Sequence, residues 1–320
     1  MLICPNCQSM LSIAGDRGVQ CDCGRLFPRL GTGGFDFLEG QPFEDFELDP
    51  SNHGQTETLR LEAEGVAERL DRFLVPALQR YCVLTGRCAT DVTILDCGCG
   101  GGLSVDLLRE AGFQAWGIDA GRSRHRQWQD RSSAAFLHAA DALRLPFDRA
   151  SFDVVISCGL VEHIGIYEAI EGRYIARRLP DCHGRRRRFA EELLRVTRDD
   201  GFILLDHPNG SFPIDFWHGG FRMHLPWDDM LPRFLEVSRY FRSFEPDLGF
   251  LSLSPRDRLR LGRVQRLKFG RALAPLIRLW LRLLTVPFSS AAARSCLNPY
   301  LVTLIYRKGL DARVLRQSFA

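Results

Sequence analysis

No stretch of 18 uninterrupted apolar residues occurs in the 320-residue sequence, which excludes a simple membrane-spanning helix. The most apolar run, Ala272 to Phe288, is broken by Arg278 and Arg282, and guanidiniums at that depth are costly in hydrocarbon. The first residues, Met1-Leu2-Ile3-Cys4-Pro5, have neither the basic start nor the apolar core of a secretory signal. Charge of one sign is lacking too. The 42 Lys and Arg nearly balance 39 Asp and Glu, leaving +3, too little by itself to argue for a nucleic-acid or membrane partner. Internal repeats and low-complexity segments are absent. Cysteine, by contrast, is plentiful at eleven residues. With no signal ahead of them these read as reduced thiols, which predicts a cytoplasmic protein.

The length suits one large α/β domain plus an accessory piece. Residues 1–40 are rich in Cys and Gly and lack helical periodicity. A polar, acidic stretch over 41–56, including Pro42, Glu44, Asp45 and Pro50, predicts a linker. From Glu57 to Tyr81 the apolar positions Leu59, Val66, Leu70, Phe73, Leu74 and Leu78 recur at helical spacing. Short apolar runs then alternate with helical stretches: 92–96, 115–119, 135–139, 152–157 and 202–206 as strands, 103–111 and 189–197 as helices. That alternation predicts a doubly wound, mostly parallel sheet covered on both faces. Tyr300 to Tyr306 reads as a late strand returning to the sheet edge, which makes the expected core a seven-stranded Rossmann-like α/β domain over 57–320.

The strongest signal is Asp96-Cys97-Gly98-Cys99-Gly100-Gly101-Gly102 at the end of the first strand. Glycines there let the backbone turn sharply and lie against a bulky ligand. An acid at the carboxyl end of a strand faces the crevice where open α/β sheets bind ligands. Asp119 closes the next strand, where an acid accepts hydrogen bonds from ribose hydroxyls, and Asp141-Ala142 follows the third. An NAD-binding fingerprint would need glycine at position 103, which is leucine. In order and spacing these pieces resemble class I S-adenosylmethionine (SAM)-dependent methyltransferases of the type 11/12 kind, over Glu57 to Asp206. The resemblance implies that Asp96 with Gly98, Gly100 and Gly102 holds the methionine portion of SAM, Asp119 the ribose, and Asp141 with Ala142 the adenine.

In front, Cys4-Pro5-Asn6-Cys7 and Cys21-Asp22-Cys23-Gly24 frame a piece too short for a core of its own. Four thiolates can tie such a segment to one tetrahedral zinc. The second pair is one residue closer than the usual C-x-x-C knuckle. With Leu26-Phe27-Pro28 behind it, the order resembles the small zinc-ribbon modules related to Trm112. It implies Cys4, Cys7, Cys21 and Cys23 as ligands of a structural Zn2+.

Methyl transfer is an in-line displacement, so the acceptor must be aligned and water excluded, and a hydroxyl or amine acceptor calls for a base. Glu162-His163 follows the fourth strand, and His207 and Asp215 lie at the start of an expected acceptor insertion over 207–235. We take His163, His207 and Asp215 as catalytic candidates. The run Pro208-Asn209 to Pro213-Ile214-Asp215 resembles bacterial methyltransferases of the polysaccharide and small-molecule type, which implies a small-molecule, sugar or glycolipid acceptor. No N/D-P-P-Y/F tetrapeptide follows the fourth strand, against methylation of adenine in nucleic acid, and Cys158 reads as a small packing residue. Over 256–294, ten Arg or Lys face one acid among leucines. This basic amphipathic segment suits either peripheral membrane contact or a helix covering the sheet. Arg185 to Arg188 reads as a solvated loop and helix start. Two rival functions stay open: an rRNA or tRNA methyltransferase gripping RNA with its ribbon and arginines, and a non-catalytic activator of another methyltransferase.

Overall fold

The computed structural model describes residues 2–40, 55–170, 174–215, 222–223, 230–253 and 290–319, with a few positions between 272 and 280. The linker segment 41–54 and most of the basic segment 256–294 therefore lie outside the described residues.

Residues 2–40 form a three-stranded antiparallel module, β1 Leu11–Ile13, β2 Gly18–Cys21 and β3 Leu26–Pro28. The predicted 57–81 helix is α1 Gln55–Arg69, a π-helical turn Leu70–Leu74, and α2 Val75–Thr85. Leu70, Leu74, Ala77 and Leu78 are all buried at 0–1% exposure, so the apolar face read from the sequence is the face that packs.

The main sheet has seven strands. In chain order they are β4 Thr93–Cys97, β5 Gln114–Asp119, β6 Leu137–Ala139, β7 Phe152–Cys158, β10 Thr197–Pro208, β13 Gly249–Ser252 and β14 Tyr300–Tyr306. Across the sheet the order is β13-β14-β10-β7-β4-β5-β6, with β10, β7, β4, β5 and β6 parallel, β14 antiparallel to β10, and β13 antiparallel to β14. Val92 and β4 are fully buried because both sheet faces are covered. This is the Rossmann-like fold expected. One refinement concerns β14: it lies second from the edge, because Gly249–Ser252 pairs outside it. The helix α3 Leu103–Glu110 follows the glycine loop.

Two elements were not anticipated. Between β7 and the next helix runs a hairpin, β8 Ile166–Ile170 and β9 Tyr174–Arg178. The helix then spans Cys182–Val196, which places Arg185 to Arg188 in its first turns, a helix start as expected, and corrects the solvated reading at Arg186. Arg186 is only 1% exposed; its guanidinium donates to the carbonyls of Ile164 and Glu162, each at 3.1 Å, and to that of Met230. A charge is tolerated there because three acceptors replace its water.

Asp153, 1% exposed on β7, ties the lower end of the sheet together. It accepts the Thr93 amide (2.8 Å) and hydroxyl (2.7 Å) and pairs with Arg87 (2.7 Å) and Arg198 (2.9 Å). Burial alone would push its carboxyl up, but the Thr93 bonds and the two guanidiniums outweigh burial and hold it below the usual value. Its stabilisation is therefore present above the unfolded aspartate value of about 3.9 and is lost as pH falls through the lower folded value. Asp153→Asn is expected to cost roughly 3 kcal/mol at neutral pH. Thermal melts should show that gap closing below about pH 4; equal melting temperatures at pH 7 would refute the assignment.

Candidate functional site

The glycine loop joins β4 to α3 at the carboxyl end of the sheet. Gly98 and Cys99 both donate their amides to the Ile118 carbonyl at 2.9 Å, which folds the loop back onto β5. Gly98, Gly100 and Gly102 all adopt positive φ, at 89°, 53° and 77°. The requirement is sharpest at Gly102, where a Cβ would sit 2.5 Å from Leu137 Cδ1. The loop carbonyls are held from the other side: Trp128 Nε1 donates to Gly100 (2.8 Å) and Arg131 Nε to Gly101 (2.7 Å).

Asp96, next to last in β4 and 3% exposed, accepts the Ser104 hydroxyl from the first turn of α3. Asp119 is half-buried, with Oδ2 accepting the Gly100 amide (2.9 Å) and Oδ1 the Gly121 amide (2.7 Å). Asp141 follows β6 and caps its own turn by accepting the Leu143 amide at 2.9 Å, with Ala142 buried beside it. Three carboxylates therefore stand at the ends of the adjacent strands β4, β5 and β6, with the glycine loop across the first two. Helix α1 closes over the loop: Glu62 pairs with Arg124 at 2.6 Å, and a Cβ on Gly100 would lie 3.1 Å from Glu62 Oε1. Glu62, Trp128 and Arg131 escaped the sequence reading because these partners lie 28 or more residues away, on loops whose path the pattern does not reveal.

On the acceptor side, the turn after β7 lies against the same loop, because Leu160 occupies the space beside Gly98. His163 closes that turn by donating its amide to Leu160, and its Nδ1–H donates to Glu168 Oε2 at 2.7 Å. His207, 2% exposed on β10, donates from Nδ1 to the Pro208 carbonyl at 2.7 Å. Burial pushes its imidazole down to about 4, so it is neutral at physiological pH. Asp215 belongs to the two-residue β11 Ile214–Asp215, where it faces Arg222 of β12 Arg222–Met223 in register. His218 and His224 lie outside the described residues. One arrangement the sequence did not suggest is at Asp206, the last acid of β10: it accepts the Tyr300 hydroxyl at 2.7 Å and lies 3.8 Å from the buried Arg69 guanidinium.

In the front module, the four sulfurs of Cys4, Cys7, Cys21 and Cys23 lie within 4.8 Å of one another. Cys4 and Cys23 are 3.8 Å apart and Cys7 and Cys21 3.3 Å. Tetrahedral zinc with bonds of about 2.3 Å spaces its sulfurs about 3.8 Å apart, so the donor set fits that ion. The Ser9 amide, and then its hydroxyl, lower the Cys7 thiol to about 6, while its neighbour Cys21 is pushed up to about 12, so without an ion the four share few negative charges. The module also extends the main sheet. Phe37 donates to the Ala139 carbonyl (2.7 Å) and Ala139 to the Phe35 carbonyl (2.9 Å), laying 35–37 alongside β6. His138 accepts the Phe35 amide on Nδ1 at 3.1 Å; full burial pushes its imidazole down to about 4, which keeps that lone pair open.

Comparison with known proteins bears on the same region. Residues 95–205, the segment carrying the glycine loop and β4 to β10, match the methyltransferase domain family. An uncharacterised methyltransferase of Mycolicibacterium gilvum is 27% identical over 147 residues, 43% of this chain and 50% of that protein. The ubiquinone biosynthesis O-methyltransferase of Paramagnetospirillum magneticum is 34% identical over 100 residues, 28% of this chain and 37% of that protein. The chain thus spans half or less of the length of these curated relatives. Among solved structures, geranyl diphosphate C-methyltransferase from Streptomyces coelicolor A3(2) aligns with a TM-score of 0.41 at 14% identity, over 81% of this chain and 85% of that one. The match to the methyltransferase domain family thus lies over the strands and loops that build the site.

Proposed function

We propose that the chain transfers the methyl group of SAM to a hydroxyl or amine of a small-molecule, sugar or glycolipid acceptor. The observation that carries this reading is the row of Asp96, Asp119 and Asp141 at the ends of β4, β5 and β6 beneath one glycine loop. In it Asp96 and the loop take the methionine portion, Asp119 the ribose and Asp141 with Ala142 the adenine. Similarity to an O-methyltransferase of a small-molecule pathway supports the acceptor class. The front module is a Trm112-like zinc ribbon in this reading, with the four cysteines as ligands of a structural zinc.

The RNA reading loses much of its electrostatic support. Of the Arg185 to Arg188 quartet, Arg186 is buried, Arg185 pairs with Asp181 (2.7 Å) and Arg188 with Glu191 (3.4 Å), which leaves little free charge for phosphates. The activator reading sits poorly with a complete row of cofactor acids. Among the described residues no helix is long and apolar enough to cross a membrane, so a glycolipid acceptor would be met at a membrane surface through the basic segment.

Incubation with methyl-labelled SAM and an extract of the source cells, followed by separation of lipid, glycan, small-molecule, protein and RNA fractions, tests this. Label in the first three supports the proposal, and label in the lipid fraction gives the basic segment its surface role. Label confined to RNA or protein would overturn it.

A further inference from the structure

Helix α1 reaches from the glycine loop to β10. Glu62, midway along it, lies against Gly100 and pairs with Arg124 at 2.6 Å. Arg69, its last residue, lies beside Asp206. Seven residues apart, the two share one face of the helix, with Arg69 about 10 Å further along. The sheet gives a similar separation. Asp96 is in register with Ile156 and Asp206 with Cys158. Ile156 and Cys158 are two positions apart on β7, so the two acids share a sheet face, two strands and about 10 Å apart across it.

Arg69 is only 5% exposed. Its one ion-pair partner among the described residues is Asp206, and at 3.8 Å the two are not hydrogen-bonded. Asp206 accepts the Tyr300 hydroxyl instead, at 2.7 Å. The Arg69 Nε is buried without a hydrogen-bond partner. A guanidinium carries five N–H donors, and a buried donor left unsatisfied is costly enough to call for an explanation. Space adjoins it. Cys158 and Gly159, at the end of β7, are half-buried, and a Cβ on Gly159 would stand 3.7 Å from Glu162 Oε1 and 3.9 Å from the Tyr300 hydroxyl.

We propose that Arg69 anchors a carboxylate on the methyl acceptor, an inference that rests on the methyltransferase reading above. The planar guanidinium fork matches the two oxygens of a carboxylate. A carboxylate on the Nε edge supplies the partner that Nε lacks, while Nη1 stays beside Asp206, which holds the guanidinium in place. The position suits an acceptor. Arg69 stands over the carboxyl ends of β7 and β10, two strands from the acid that takes the methionine portion of SAM in the proposed complex. A molecule anchored there extends toward the methyl group. Asp206 and Glu162 border the same space, and their charge opposes a doubly charged phosphate more than a single carboxylate. The acceptor class narrows accordingly, to a hydroxy acid, an amino acid or a sugar acid.

Arg69 could instead merely tether α1 to β10, or take the cofactor's own carboxylate, so the test must separate three roles. The probe is carboxyl-13C benzoate, titrated into chain saturated with S-adenosylhomocysteine and followed by NMR, with benzyl alcohol as its neutral counterpart. The native chain is expected to bind benzoate about tenfold or more tighter than benzyl alcohol. Arg69→Met should weaken benzoate binding about 10- to 100-fold, and Arg69→Lys, which keeps the charge without the fork, should weaken it less. Arg69→Met leaves the Asp206 carboxylate buried without its counter-charge. If that chain does not fold, Arg69→Met/Asp206→Asn, which removes both charges, carries the measurement. S-adenosylhomocysteine affinity should stay within about twofold of native in each folded variant. Benzoate that binds the native chain no better than benzyl alcohol, or no better than it binds the methionine variants, would overturn the proposal and leave a tether. A loss of about tenfold in S-adenosylhomocysteine affinity would overturn it in favour of the cofactor's carboxylate. Absence of S-adenosylhomocysteine binding by the native chain would instead sink the methyltransferase reading, and benzoate titration of the unloaded chain would then judge Arg69 by itself.

Discussion

Replacing Asp119 by alanine is expected to weaken S-adenosylhomocysteine binding by about a hundredfold or more, with Asp119→Asn falling between the two. The carboxylate does two things at once. It holds the glycine loop in its turn by accepting the Gly100 amide at 2.9 Å and the Gly121 amide at 2.7 Å, and in the proposed complex it accepts the ribose hydroxyls. Hydrogen bonds to a charged group contribute about 1.5–3 kcal/mol each, and about 1.4 kcal/mol is tenfold in affinity. Loss of two ribose bonds alone reaches a hundredfold, and leaving the two amides without acceptors loosens the loop further. Asparagine keeps one acceptor oxygen, so it should preserve the loop better than it preserves the ribose. Titration calorimetry on the three proteins measures this directly. An Asp119→Ala chain that binds with native affinity would remove Asp119 from the ribose site.

The expectation could be framed from sequence because the signals at this end of the sheet are local. Val92 to Asp96, Ala115 to Asp119 and Phe152 to Ser157 are short, mostly apolar runs, each closing a strand within two residues of where the structure closes it. A glycine cluster directly after an acid leaves few backbone paths. What the sequence hid depends on distant partners. Arg186 looks solvated among four arginines, yet the carbonyls of Ile164, Glu162 and Met230 bury it. Ile166 to Arg178 shows no clean alternation, because the hairpin mixes Glu168 and Arg177 with its apolar residues, so Glu168 was not recognised beside His163. Gly249 to Ser252 is too short to stand out, and becomes a strand only because β14 offers it an edge. Docking of the front module also had no local sign: the backbone of Phe35 to Phe37 lies alongside β6, over a hundred residues away in the chain.

That docking predicts an effect on the cofactor site that starts far from it. In Cys4→Ser/Cys21→Ser the zinc content should drop from near one per chain to well below one, and S-adenosylhomocysteine affinity should fall about tenfold although no cofactor-binding residue is changed. Cys4 and Cys21 are the buried pair of the cluster, at 0% and 2% exposure. A short module of this kind draws its folding free energy from the metal, on the order of 10 kcal/mol for structural zinc sites. Once it unfolds, β6 loses the neighbour on its outer side: the Ala139 amide and carbonyl lose Phe35 and Phe37, and the Pro146 carbonyl loses the Ile3 amide. Arg144, three residues after the proposed adenine ligand Asp141, loses Asn6, which lies between Cys4 and Cys7 and bonds it at 3.1 Å. A three-residue strand paired on one side only holds the Asp141 turn weakly, so the adenine end of the site should loosen first. Hydrogen exchange over residues 137–147 would register this, together with metal analysis and calorimetry. Native chain without bound metal would refute the zinc ribbon. Loss of metal with unchanged exchange and affinity would mean that the ribbon sits on the sheet without supporting the cofactor site.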